Sequence, residues 1–113
     1  MSLSRTDTRI RIEVLYFEGC PNHFATLERI NAVLRDESCS AEVKEVLVQD
    51  ELTAQRKQFL GSPTVRVNGI DIEPGASGGK DFGLMCRRYA GGAPSHELIR
   101  TAVRSALESG GRS

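Results

Sequence analysis

The stretch from Val14 to His23 reads Val-Leu-Tyr-Phe-Glu-Gly-Cys-Pro-Asn-His and joins an apolar run to the start of an amphipathic pattern. The run 14–17 is typical of a strand inside a covered sheet. Cys20 follows it, and Pro21 is tolerated in a first helical turn because its missing N–H would have no partner there. Free backbone N–H groups and the positive end of a helix dipole favour a thiolate at that position. The stretch therefore predicts a strand, a helix and a reactive thiol between them.

Three segments carry helical patterns. Helix one begins at Pro21, repeats apolar residues at three- and four-residue steps, and is closed by residues 36–38. A short second helix is expected between Asp50, its N-terminal cap, and Gly61, its C-terminal stop. The last helix begins at Ser95 and ends at a glycine pair. The glycine pair is Gly110-Gly111. The buried stripe of this helix is expected to comprise Leu98, Ile99, Ala102, Val103, Ala106 and Leu107.

The remaining strands follow from alternation and from one turn signal. Val43 to Val48 predicts a second strand, and Asn68-Gly69 predicts a tight hairpin between strands 64–67 and 70–73. The element order is therefore βαβαββα, an α/β fold with a mixed four-stranded sheet flanked by three helices. The first two strands are expected to be parallel and joined by a right-handed crossover, while the hairpin adds antiparallel strands.

Length and composition indicate one domain. The 113 residues are divided into a disordered N-terminal tail (1–8), a folded domain (9–108) and a flexible C-terminal tail (109–113). Fifteen basic and fifteen acidic side chains cancel, so neither nucleic acid nor an anionic membrane is expected as a partner. The sequence shows no signal-peptide core and no membrane-length apolar run. Three cysteines without framework spacing suit a reducing compartment, and we expect a cytoplasmic location.

With these elements in place, the chain resembles the thioredoxin-like fold over residues 9–108. The motif 19–22, Gly-Cys-Pro-Asn, and the segments 60–67 and 82–89 are similar to those of small bacterial thioredoxin-like or glutaredoxin-like proteins. That family is selenoprotein-related, and some relatives are labelled alkylmercury lyase. The resemblance implies thiol or selenol chemistry. His23 stands where thioredoxins have the second cysteine of Cys-x-x-Cys, so this motif lacks the usual resolving thiol.

The resemblance also implies a substrate groove at Ser62-Pro63-Thr64. In the thioredoxin-like fold the proline at position 63 follows a cis peptide bond and lies against the active-site cysteine. The Ser62 backbone would then pair with an extended thiol substrate, as a sheet edge does. Ser62, Pro63 and Thr64 are therefore expected to be substrate-binding residues.

Cys20, His23 and Cys86 are the expected catalytic residues. Cys20 is the nucleophile, since the thiolate attacks; the alternative is a small buried apolar cysteine. His23 would hold a proton or a charge near the sulfur; the alternative is a solvated first-turn histidine. Cys86 is the candidate resolving thiol, which requires its Cα to lie within about 7 Å of that of Cys20; the alternative is a residue packed beside Leu84 and Tyr89. Cys39 is treated as incidental.

The sequence thus predicts a thiol–disulfide oxidoreductase whose partner is a thiol or disulfide, either a protein or glutathione, with no cofactor and no metal. Without a Cys86 disulfide, glutathione or another protein must resolve the oxidised Cys20. Two alternatives remain. Cys20, His23 and Cys86 form a set of two sulfurs and one imidazole that suits soft-metal or organomercurial handling. A catalytically silent module would instead bind a partner through the strand edge beside Pro63.

Overall fold

The computed structural model describes residues 10–73, 83 and 93–111. Within them the secondary structure confirms the α/β class and the order βαβαββα. In chain order the elements are β1 (Arg11–Tyr16), α1 (His23–Asp36), β2 (Glu42–Leu47), α2 (Glu51–Arg56), β3 (Thr64–Val67), β4 (Ile70–Asp71) and α3 (His96–Gly111). None of the helices in the described ranges is both long and apolar enough to cross a membrane.

The sheet is mixed and has the strand order β2-β1-β3-β4. β1 and β2 are parallel, as expected for strands joined through a helix, and β3 is antiparallel to both β1 and β4. Val14, near the middle of β1, pairs with Glu45 on one side and Val65 on the other. β1 is therefore a central strand, and the chain leaves it directly toward Cys20.

Apolar side chains cover both faces of the sheet. Alternation along β1 sends Ile12 and Val14 to the face that α1 and α3 cover, and Leu15 to the face that α2 covers. The larger cluster comprises Ile10, Ile12, Val14, Ile30, Val33, Val65, Val67, Ile72, Ile99 and Val103. The smaller comprises Leu15, Val48, Ala54 and Phe59. Each fully buried Leu, Ile, Val or Phe side chain contributes about 1.5–3 kcal/mol to stability.

The prediction that Gly61 ends the second helix is wrong, because α2 ends at Arg56. Gln58 adopts a left-handed backbone (φ 53°) and stops the helix. The N–H of Phe59 then bonds to the carbonyl of Ala54 at 2.9 Å, and that of Gln58 bonds to Gln55 at 3.2 Å, which is the Schellman pattern. Burial of Phe59 directly after the helix favours this early stop.

Helix α1 ends with the same motif, also without a glycine. Ser38 has a φ of 51°, Cys39 N–H bonds to the Leu34 carbonyl at 3.0 Å, and Ser38 N–H bonds to the Arg35 carbonyl at 3.1 Å. Cys39 therefore occupies the position whose side chain usually contacts the preceding helix, and it packs partly buried against the larger cluster. The predicted closure at 36–38 is confirmed.

The hairpin and the last helix follow the sequence closely. Asn68 (φ 52°) and Gly69 (φ 85°) both have positive φ, as a tight hairpin turn requires. β4 is only two residues long, shorter than the predicted 70–73. In α3 the predicted stripe is confirmed at its centre, but Leu107 is 38 % exposed. The helix ends at Gly111, so residues 109–111, predicted to be tail, belong to it.

Candidate active site

Cys20 lies in the loop that connects β1 to α1 at the carboxyl end of the central strand. Gly19 has a φ of 87°, a left-handed conformation that a residue with a Cβ rarely adopts. This turn lets the Cys20 N–H bond back to the Phe17 carbonyl at 3.2 Å. Cys20 is half-buried, and it is a free thiol. The fully buried alternative for Cys20 therefore does not hold.

Helix α1 begins two residues later than the sequence predicts. Pro21 lies in a turn, Asn22 is the N-cap with a non-helical backbone (φ −100°, ψ 1°), and His23 is the first helical residue. The Asn22 side chain makes no cap hydrogen bond. The His23 N–H instead donates to the Cys20 carbonyl at 3.4 Å. Cys20 thus lies three residues before the first helical residue and is tied to the first turn through the backbone.

The segment 62–64 lies beside this loop, as the resemblance implies. The Ser62–Pro63 peptide bond is cis. The Oγ of Ser62 accepts a hydrogen bond from the Phe17 N–H at 3.3 Å. Thr64 pairs with Leu15 in the sheet, and its hydroxyl donates to the Gly61 carbonyl. The Phe17 backbone therefore contacts both parts of the expected site, since its carbonyl accepts from Cys20 and its N–H donates to Ser62.

Ser62 and Thr64 are fully buried, and Pro63 is also buried. The hydroxyls of Ser62 and Thr64 bond to backbone groups of the protein and are not presented to solvent. A substrate can pair with the Ser62 backbone only if this segment becomes accessible. The Ser62 hydroxyl therefore contacts the loop that contains Cys20, and the contact of Ser62, Pro63 and Thr64 with substrate stays a prediction.

His23 is not a solvated first-turn histidine. Its ring stacks on Tyr16 with centroids 3.7 Å apart and planes 14° apart. Its Nε2 lies 2.8 Å from Oε1 of Glu45, and its side chain is 17 % exposed. Nδ1 is buried and has no hydrogen-bond partner among the described residues. Neither Tyr16 nor Glu45 is among the residues predicted for the site; the signal for Glu45 in the sequence is a carboxylate between Val43 and Leu47 on one face of β2.

Of the other two cysteines, the structure describes only Cys39, which packs against the larger apolar cluster. Cys86, with Leu84 and Tyr89, lies outside the described residues, so its pairing with Cys20 stays a prediction. Burial, and secondarily the negative charge of Glu37, raises the pKa of the Cys39 thiol. Cys39 is therefore disfavoured as a thiolate, in agreement with its treatment as incidental. Across 10–73, 83 and 93–111, no group of three or more His, Cys, Asp or Glu side chains is placed to hold a metal ion.

An open groove of about 430 Å³ lies at the edge of the sheet that carries the Cys20 loop. It is lined by Phe17, Glu18, Leu47, Val48 and Gln49, which follow or end the parallel strands β1 and β2. Ligands of open α/β sheets bind outside the carboxyl ends of parallel strands. A larger pocket of about 540 Å³ lies at the opposite ends of these strands, against Arg11, Glu42 and Lys44, and is therefore remote from the Cys20 loop. The smaller groove is therefore the candidate substrate groove.

In comparisons with known proteins, no family model, no curated protein and no solved structure matches this chain. The assignment of a function therefore depends on the geometry of the site itself. That geometry consists of a half-buried thiol before a helix, a serine and a cis proline beside it, and a histidine held by a carboxylate.

Proposed function

We propose that the protein is a thioredoxin-like thiol–disulfide oxidoreductase with Cys20 as its nucleophile. One observation carries the proposal: the Phe17 carbonyl accepts from the Cys20 N–H, and the Phe17 N–H donates to Ser62 Oγ. These two bonds to one residue support the juxtaposition of a thiol before a helix and a proline segment, which is the arrangement expected of thioredoxin-like enzymes. The mixed sheet with helices on its faces is compatible with that fold.

The reaction is an exchange of sulfur–sulfur bonds. The Cys20 thiolate attacks one sulfur of a disulfide, a new bond forms to Cys20, and the electrons of the broken bond pass to the departing sulfur. His23 supplies a proton to that sulfur. It is the first residue of α1 and lies seven residues after the end of β1. The mixed disulfide is then resolved by glutathione, by a second protein thiol or by Cys86.

The groove at the carboxyl edge supports a peptide-like substrate. Phe17 and Leu47 provide apolar surface, and Glu18 and Gln49 provide polar groups. A protein disulfide or a glutathione adduct presents the same combination of aliphatic and amide surface around a sulfur atom. The free thiols of Cys20 and Cys39 suit a reducing compartment, and we propose a cytoplasmic location on that ground.

The proposal is tested by thiol modification in matched variants. Wild type, Cys20→Ser and Cys39→Ser are incubated with glutathione disulfide, and each cysteine is mapped by mass spectrometry. We expect a glutathione adduct, or a Cys20–Cys86 disulfide derived from it, in wild type and Cys39→Ser, and no such product in Cys20→Ser. An unmodified Cys20 in wild type overturns the proposal in favour of a silent binding module.

The same variants separate the redox proposal from metal handling. Wild type and Cys20→Ser are dialysed against a soft divalent or monovalent metal ion and assayed for bound metal. We expect no stoichiometric retention in either protein. Stoichiometric metal that wild type retains and Cys20→Ser loses would replace the oxidoreductase with the metal-handling alternative.

A further inference from the structure

Residues from two different strands hold the His23 ring. Glu45 of β2 bonds to Nε2 at 2.8 Å, and Tyr16 of β1 stacks against the ring at a centroid distance of 3.7 Å. Glu45 pairs with Val14, and Leu47 pairs with Tyr16, so Glu45 and Tyr16 lie on the same face of the sheet, one diagonal step apart. The two contacts fix both the tilt of the ring and its rotation in plane.

The contact with Glu45 determines which ring nitrogen carries the proton. A carboxylate only accepts hydrogen bonds, so Nε2 is the donor and carries a hydrogen. In the neutral ring the lone pair is then on Nδ1. This is the atom that is buried and has no partner within the described part of the chain. Buried polar atoms without a partner are uncommon and unfavourable, and a catalytic role is one reason for a protein to retain one.

The stack also closes the loop that contains Cys20. Tyr16 is the last residue of β1, and His23 is the first residue of α1. Contact between their rings therefore joins the two ends of the segment 17–22. The Cys20 carbonyl accepts from the His23 N–H within this closed loop. Removal of the stack or of Glu45 would free the ring relative to the thiol.

We propose that Glu45 and Tyr16 are positioning residues for His23, and that Nδ1 is the atom at which His23 receives and returns the proton of the Cys20 exchange reaction. The inference rests on the proposed function. The thiol proton passes to Nδ1, and the sulfur keeps the bonding pair and attacks the disulfide. The departing sulfur takes the electrons of the broken bond and then the proton from Nδ1. Glu45 stabilises the imidazolium that exists between the two transfers.

This assignment requires a movement of the thiol. Nδ1 has no hydrogen bond to Cys20 in the structure, so the side chain of Cys20 must turn toward the ring when the proton is transferred. Catalytic hydrogen bonds are commonly long or misaligned before substrate binds and tighten afterwards. The fixed ring then acts as the stationary partner, and the cysteine is the part that moves.

The first test is spectroscopic and uses wild-type protein. Ring nitrogen shifts of His23, measured by NMR on uniformly ¹⁵N-labelled protein, are expected to show hydrogen on Nε2 and a lone pair on Nδ1. In Glu45→Ala the two tautomers are expected to mix, whereas Glu45→Gln, which keeps an acceptor oxygen, retains the wild-type tautomer. Hydrogen on Nδ1 and a lone pair on Nε2 in neutral wild-type His23 overturns the inference without any variant having to fold.

The second test measures the alkylation rate of Cys20 by iodoacetamide. Glu45→Ala is expected to slow it about tenfold at neutral pH, less than the hundredfold or more typical when an acid–base group itself is lost. Tyr16→Leu is expected to slow it as well, and Tyr16→Phe to retain the wild-type rate. Glu42→Ala is the matched control, because Glu42 is exposed on the same strand, and its rate should equal that of wild type. Circular dichroism checks that each variant is folded.

The two proposals fail in different ways. If Cys20 of wild type is alkylated no faster than Cys39, the oxidoreductase proposal fails. If Cys20 of wild type is fast, and folded Glu45→Ala and Glu45→Gln both keep that rate, the oxidoreductase stands and the positioning role of Glu45 is overturned.

Discussion

Ser62 Oγ accepts a hydrogen bond from the Phe17 N–H at 3.3 Å across 45 residues of sequence. The bond links the segment before β3 to the segment after β1, and Cys20 bonds to the carbonyl of the same Phe17 residue at 3.2 Å. The position of the thiol therefore depends on a long-range contact as well as on the local turn.

Ser62→Ala removes the acceptor of the Phe17 N–H. Ser62 is fully buried, so the N–H loses its partner in a place that water reaches poorly, and we expect the free energy of unfolding to fall by about 1–3 kcal/mol. Urea titration measures the change. Ser40→Ala is the control, because Ser40 is exposed, and it should have little effect. Equal stability of the two variants would show that the Ser62 bond contributes little to the fold.

Cys20 and Cys39 should differ in their rates of alkylation. Burial raises the pKa of Cys39, and Glu37 raises it further, so at neutral pH this thiol is protonated and slow to react. Cys20 is a half-buried loop residue beside a helix N-terminus and should react with iodoacetamide well ahead of Cys39. Peptide mapping after timed quenching measures both rates in one sample. Similar rates would argue against an activated thiol.

Glu37 should stabilise the protein only above acidic pH. Its carboxylate bonds to Arg104 at 3.0 Å and to Arg100 at 3.2 Å, joining the end of α1 to α3. The hydrogen bond from Arg104 is the largest factor that lowers the pKa of Glu37. Because the folded pKa lies below the unfolded one, this stabilisation is complete above the unfolded pKa and is lost as the pH falls through the folded pKa.

The stability difference between wild type and Glu37→Gln should therefore be largest near neutral pH and should vanish in acid. Thermal unfolding midpoints over a series of pH values measure it. Glu97→Gln is the control, because Glu97 forms an exposed pair with Arg100 and should change stability by less than about 1 kcal/mol at any pH. A difference for Glu37→Gln that persists unchanged into acid would contradict the assigned role of the ion pairs.

Gln58→Gly should stabilise the protein. Gln58 has a φ of 53°, and a left-handed backbone costs a residue with a Cβ about 1–2 kcal/mol relative to glycine. Part of this gain is offset by the greater freedom of glycine in the unfolded chain, so we expect a net increase of about 0.5–1 kcal/mol. Lys57→Gly, one residue earlier at a negative φ, should instead destabilise the protein. Equal effects of the two changes would place the end of α2 elsewhere.

Local patterns in the sequence were sufficient for most of the fold. The period of apolar residues gave the class of each long element, and Asn68-Gly69 gave the hairpin with both positive φ values. The helix ends were harder to predict. At Gln58 the chain turns left-handed without a glycine because burial of Phe59 outweighs the local preference, and Ser38 makes the same turn before the partly buried Cys39.

The site could also be predicted only in part, because one of its residues depends on tertiary structure. Cys20 and the proline segment are marked by their own sequence context, whereas the importance of Glu45 depends on the register that brings it beside Val14. A one-residue shift of β2 would turn Glu45 to the other face and away from His23. No local pattern contains that register, so the partner of His23 became visible only in the assembled sheet.

The strand order β2-β1-β3-β4 determines which strands of the described sheet open most readily. Edge strands fray first, and the two-residue β4 should exchange its amide hydrogens for deuterium long before β1, which is bonded on both sides. Cys20 therefore follows the strand that we expect to exchange most slowly in the sheet. Opening of the sheet edges should therefore leave the Cys20 backbone in place, while the Cys20 side chain remains free to turn toward His23.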